Sequence, residues 1–124
     1  MDLIVQKYGG TSVGNIKKIK NVARNIQKLR KKKKSLVVVV SAMAGQTDKL
    51  HSLTKDISKI PNEREYDQVI STGEKVSAGL ITIALLEIGV KAISLDPAKF
   101  GLITNNLHGK GTILSVGTNE IKKY

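Results

Sequence analysis

"SLVVVV", residues 35–40, is the stretch on which the fold turns. Four consecutive valines offer no polar face, so the run suits a strand covered on both sides, as in a parallel sheet. A parallel neighbour requires a crossover connection, and the preceding residues supply one. "LIVQKY", residues 3–8, is short, apolar and β-branched, and reads as a first strand. Between the two runs, Ile16, Ile19, Val22, Ala23, Ile26 and Leu29 recur at helical spacing. Lys17, Lys18, Lys20, Arg24 and Lys28 fill the opposite, wet face. Strand, helix and strand make a βαβ unit with a right-handed connection.

Downstream, "SAMAGQTDKL" starts small and polar and turns helical through Leu53 and Ile57, until "KIPNER" breaks the pattern at Pro61. A long helix is expected from about Glu63 to Glu87. Val69, Ile70, Val76, Leu80, Ile81, Ala84 and Leu85 form its buried face, and Gly89 stops it. "VKAISL", residues 90–95, reads as a third strand. The stretch from Asp96 to Gly117, rich in Gly and Asn, reads as a loop and hairpin, with a helix beginning near Thr118. The expected fold class is α/β, a three-layer αβα sandwich with a mainly parallel sheet. No repeat or interdomain linker divides the 124 residues.

A composition of 40% hydrophobic and 25% charged residues is that of a globular chain. Aromatics are only 3%, so the core is built from aliphatic side chains. There is no cysteine, which removes disulfides and thiolate metal sites and fits a reducing compartment. Two separated histidines do not make a zinc site. No secretory signal is evident, and the apolar runs read as shorter than a membrane span, so a cytoplasmic protein with no membrane partner is expected. The formal net charge is +11, much of it in "RKKKK", Arg30 to Lys34. That run reads first as a solvated helix end complementing the helix dipole. Nucleic acid is the lesser reading, because no aromatic residue is interleaved for base stacking.

Ligands of open α/β sheets sit beyond the carboxyl ends of the strands. "KYGG" and "SAMAGQT" both fall there. Gly9 and Gly10 let backbone amides approach an anion, Thr11 or Ser12 is placed to cap the next helix, and Lys7 adds a positive charge. On this segment alone, an ordinary glycine turn is the stronger reading. Neither GxxxxGK[ST] nor GxGxxG is present. Ser41 and Thr47 place hydroxyls on the second loop, Thr47 also being a natural helix cap. Gly73 inside a helical pattern costs about 1 kcal/mol relative to Ala, so something else is expected to approach it. Glu74 beside it is suited to an ammonium group, or is simply an exposed glutamate. His51 and His108 fit no catalytic pattern.

Together "KYGGTSVG", "VVVVSAMAGQTDKL", "YDQVISTGEKVSAGLITIALLEIGVKAISL" and "GLITNNLHGKGTI" resemble, in order, the blocks of the aspartokinases within the amino-acid kinase family. The resemblance covers nearly the whole chain, and the pair "KYGGTS" and "STGEK" favours aspartokinase over related kinases. It implies ATP- and Mg2+-dependent phosphorylation of the side-chain carboxylate of L-aspartate, the entry to lysine, threonine and methionine synthesis. It implies that Lys7 stabilises the transferred group and that Gly9, Gly10, Thr11 and Ser12 form the phosphate loop. It further implies that Ser41 and Thr47 hold substrate or organise the site, and that Glu74 binds the substrate ammonium. The family's later "GRGGSD"-like motif and its ACT domains are absent from these residues. Residues 1–124 are therefore expected to be the amino-terminal portion of a catalytic domain, inactive alone. A separate carboxyl-terminal half or a homo-oligomer would complete it. The alternatives are a non-catalytic binding module of the same fold and a basic RNA-binding protein.

Overall fold

The computed structural model describes residues 2–32 and 34–124; Lys33 of the basic run lies outside the described residues. Strands β1 (Leu3–Tyr8) and β2 (Ser35–Val40) pair in parallel, with Leu3 opposite Ser35 and Tyr8 opposite Val40. Helix α1 (Ile16–Lys31) makes the crossover. Its cap is Asn15, whose side chain accepts from the Lys18 amide at 2.9 Å, and not Thr11 or Ser12. The cause is local. Two successive turns, Ser12 N to Gly9 O and Gly14 N to Thr11 O, carry the chain past the hydroxyl pair before the helix begins.

Helix α2 (Gln46–Ile57) ends as expected before Pro61. The expected long helix is two, α3 (Glu63–Ile70) and α4 (Thr72–Glu87), joined at Ser71. Ser71 keeps right-handed helical angles. The Ser71 and Thr72 hydroxyls donate back to the carbonyls of Gln68 and Val69 at 3.2 and 2.6 Å. Such back-bonding competes with the helical ladder. The Glu63–Glu87 stretch is long and apolar enough to cross a membrane by length and composition, contrary to the sequence expectation. Here only one face of α4 is buried, Gly73, Ser77, Ile81 and Leu85, with Ile81 and Leu85 in the core beside α1, while Ile83 and Leu86 are exposed. Val76, expected inside, is half exposed. Gly89, at φ 77°, ends α4 in the left-handed region glycine tolerates.

The core sits on one face of the sheet. Val13, Ile19, Val22, Ala23 and Ile26 meet Ile81, Leu85 and Val90, with Tyr8, Leu36, Val38 and Val40 against them. On the opposite face Leu3 is 64% exposed, Val5 63% and Val39 47%. Residues 90–95 are not a third strand: the segment has no regular secondary structure and joins no ladder among the described residues. Val90 and Ala92 pack in or against the core, while Ile93 is half exposed. Pairing depends on a neighbour at ladder distance, and an apolar β-branched run does not supply one.

The hairpin is β3 (Leu102–Thr104) with β4 (Ile113–Val116), antiparallel and bulged between Ile103 and Thr104. A single-turn 3-10 segment, Ile121–Lys123, follows where a helix was expected to start.

Ser77 of α4 is fully buried, and its hydroxyl finds no partner among the described residues. A buried unpaired hydroxyl costs stability. Ser77→Ala is therefore expected to raise the unfolding free energy by about 1 kcal/mol, read from urea melts; a loss of about 1 kcal/mol or more would contradict this account.

Candidate functional site

The β1 ladder ends at Tyr8, and the Ser41 amide donates to Tyr8 O at 3.0 Å, so the loops after β1 and β2 leave the sheet side by side. The Ala44 amide then donates to Gly10 O at 3.2 Å and ties the loops together. The amides of Gly9, Gly10 and Thr11 have no acceptor among the described residues. Successive unpaired amides in a turn of this kind are the donors of an anion cradle. Gly10 is required by proximity: a Cβ there would lie 2.9 Å from Ala42 O. Gly9 has open space instead.

The start of α4 reaches the same loop from the other side. Gly73 lies in the first turn of α4, not in a helix interior, and a Cβ on it would lie 2.8 Å from Ala42 Cβ. Two glycines 63 positions apart thus close on one alanine, Gly10 through its carbonyl and Gly73 through its methyl. This contact places the β1 loop, the β2 loop and the first turn of α4, with Glu74, around a common point.

Lys7 is exposed at the end of β1, opposite Val39. Thr11, Ser12 and Glu74 are exposed, and Ser41 is half-buried directly after β2. Thr47 is exposed in the first turn of α2, where the cap position belongs to Gly45 with no side-chain capping bond. Lys7 and Glu74 form no ion pair or side-chain hydrogen bond with the described residues. A groove of about 440 Å³ lies to one side. It is lined by Tyr8, Thr11 and Ser12 together with Lys18, Asn21 and Asn25 of α1, and it does not include Lys7, Ser41, Thr47 or Glu74. Burial pushes the Tyr8 phenol above its ordinary range.

Two contacts that the sequence did not announce hold the carboxyl-terminal segment to the helices. Lys75, next to Glu74, pairs with Asp96 at 2.8 Å, while Asp96 also accepts from the Ala98 amide at 3.1 Å. Asp67 of α3 accepts from the Gly109 amide at 2.8 Å and lies 3.4 Å from His108 Nδ1. No local spacing signals pairs so far apart along the chain. His51 lies 2.8 Å from the Tyr66 hydroxyl, ring edge to face. Among the described residues no group of three His, Asp or Glu could hold a metal.

The Lys75 hydrogen bond, followed by that of Ala98, holds the Asp96 carboxyl below its usual range. A carboxylate with a depressed folded pKa contributes stability above its unfolded value and loses it as pH falls through the folded one. The Asp96 carboxyl is thus expected to titrate below 3.8 by NMR. Lys75→Ala should move it back towards that value, and an unchanged midpoint would count against the pair.

The profile described as "Amino acid kinase family" matches residues 2–124. The chain belongs to the amino acid kinase family. Among curated relatives it is 45% identical over 123 residues to an aspartokinase of Geobacillus stearothermophilus, covering 99% of this chain and 30% of that protein. It is 44% identical over 122 residues to an aspartate kinase of Pseudomonas putida, covering 98% of this chain and again 30% of the relative. The chain therefore spans about 30% of the length of these relatives. Among solved structures, aspartate kinase from Synechocystis superposes with a TM-score of 0.77 at 52% identity, over 80% of this chain and 17% of that one. E. coli aspartokinase III, in complex with aspartate and ADP, shares the fold with a TM-score of 0.76 at 21% identity, over 91% of this chain and 35% of that one.

Proposed function

We propose that residues 1–124 are the amino-terminal portion of an aspartokinase catalytic domain, cytoplasmic, and that they bind L-aspartate and the phosphate end of ATP. The assembled enzyme would transfer the terminal phosphoryl group of ATP to the side-chain carboxylate of aspartate. It would thereby open lysine, threonine and methionine synthesis. The convergence of Gly10 and Gly73 on Ala42 carries this reading, because it gathers the end of β1 with Lys7, the loop after β2 with Ser41 and the first turn of α4 with Glu74 from three distant parts of the chain.

The residues suit the chemistry. A carboxylate nucleophile is already ionised at neutral pH, so no general base is needed. The work is positioning and charge neutralisation. The unpaired amides of Gly9, Gly10 and Thr11, with the hydroxyls of Thr11 and Ser12, fit a phosphate. Lys7 would neutralise the transferred group. Glu74 would take the substrate ammonium, with Ser41 and Thr47 orienting the substrate. Mg2+ would arrive with ATP and supply charge neutralisation at its phosphates; none of these residues is assigned to it. A carboxyl-terminal half, on the same or a partner chain, would supply the rest of the nucleotide site.

The test is a chimera in which these 124 residues replace the matched segment of the Geobacillus stearothermophilus relative. With MgATP and aspartate, trapping by hydroxylamine should give the aspartyl hydroxamate, while the isolated chain gives little or none. A folded chimera that phosphorylates no aspartate, or an isolated chain as active as the full-length relative, would overturn the proposal.

A further inference from the structure

We propose that the outward face of α1 binds the phosphodiester backbone of single-stranded nucleic acid, a function additional to the kinase reading and carried by different cations. The helix carries seven cations, Lys17, Lys18, Lys20, Arg24, Lys28, Arg30 and Lys31, and no acidic residue. Among the described residues none of these cations has a carboxylate partner. Arg24 donates only to the Asn21 amide oxygen and Arg30 only to the Lys34 carbonyl. A solvated helix face in a soluble domain usually carries both signs; this one does not.

Lys17, Lys20, Arg24, Lys28 and Lys31 follow one another at three or four positions, so they form one stripe along the helix, about 5.4 Å per turn. That is a step comparable with successive phosphates on an extended strand. Two open grooves flank the amino-terminal half of the stripe and share Asn21. The second, about 400 Å³, is lined by Ile16, Lys17, Lys20, Asn21 and Arg24. Neither groove has a carboxylate in its wall. Ammonium, guanidinium and amide donors without competing acidic groups suit phosphate oxygens.

The other polyanions fit less well. A membrane-binding helix needs an apolar face to enter the bilayer, and that of α1, Ile19, Val22, Ala23 and Ile26, is buried in the core. No aromatic side chain lies on the stripe, so binding is to the backbone and not to stacked bases.

The probe is a fluorescein-labelled oligouridylate of about 20 nucleotides, with the intact chain followed by anisotropy. Neutralising four to five phosphates predicts a log–log salt slope of about −3, or about a 60-fold loss of affinity from 50 to 200 mM salt. An oligoadenylate should bind within about threefold of the oligouridylate. The triple variant Lys17→Glu, Lys20→Glu, Arg24→Glu should abolish binding. The charge-matched triple Lys91→Glu, Lys99→Glu, Lys110→Glu should retain most of it. All six residues are exposed; if circular dichroism shows the first triple unfolded, glutamine at the same positions replaces glutamate. Absence of binding at about 50 mM salt, equal losses in the two triples, or binding to phosphatidylserine vesicles or polyglutamate in preference to RNA would each overturn the proposal.

Discussion

Lys7→Ala is expected to lower kcat for aspartate phosphorylation in the chimera about 10³-fold, near 4 kcal/mol of transition-state stabilisation. Phosphoryl transfer leaves little covalent work to the protein, so a cation on the transferred group has a large share of the effect. Lys7 is a sound place to look for that share because its removal should leave the fold intact. Its backbone sits in the β1–β2 ladder opposite Val39, while its side chain is exposed and makes no ion pair among the described residues. Nothing structural is therefore lost with the ammonium. A charge acting only on the transition state lowers kcat and kcat/KM alike, with KM for aspartate nearly unchanged. Lys7→Arg should recover part of the loss, since charge returns with altered reach. A tenfold effect or less, or a loss confined to KM, would remove Lys7 from the reacting centre.

Much of this architecture was readable before any coordinates. β1, β2 and the body of α1 fall where periodicity placed them, because a β-branched run and a 3.6-residue pattern are local signals. The hairpin and the stop at Gly89 were equally local. What escaped was relational. Residues 90–95 read as a strand but have no strand partner among the described residues, and pairing is not encoded in the segment alone. Asn15 displaced Thr11 and Ser12 as the cap because two turns of backbone hydrogen bonds consumed the intervening residues. Lys75 with Asp96, and Asp67 with His108 and Gly109, are products of the tertiary path. At the site itself, the glycines announced a close approach but not its partner. Only the fold brings Gly10 and Gly73 to the same alanine.

That shared alanine makes Gly73→Ala the most informative change in stability. On propensity alone the substitution should stabilise a helix by about 1 kcal/mol. Geometry reverses the sign. The new methyl would stand 2.8 Å from Ala42 Cβ, and neither group is a flexible side-chain end that can swing aside. Relief requires the β2 loop to move against α4, and the loop is itself held to Gly10 by the Ala44 amide. Overpacking of this kind costs typically about 1–3 kcal/mol, so a net loss of about 1–2 kcal/mol should appear in urea melts. In the chimera the same shift would disturb the first turn of α4, and on the role proposed for Glu74 it should raise KM for aspartate. Ala42→Gly removes the opposing methyl and should rescue the variant. In the double mutant the propensity gain of an alanine in the first turn of α4 is then free to act, and the coupling between the two positions should exceed about 1 kcal/mol. Additive effects would mean that the two loops do not meet at Ala42, and the site assembled around that contact would lose its foundation.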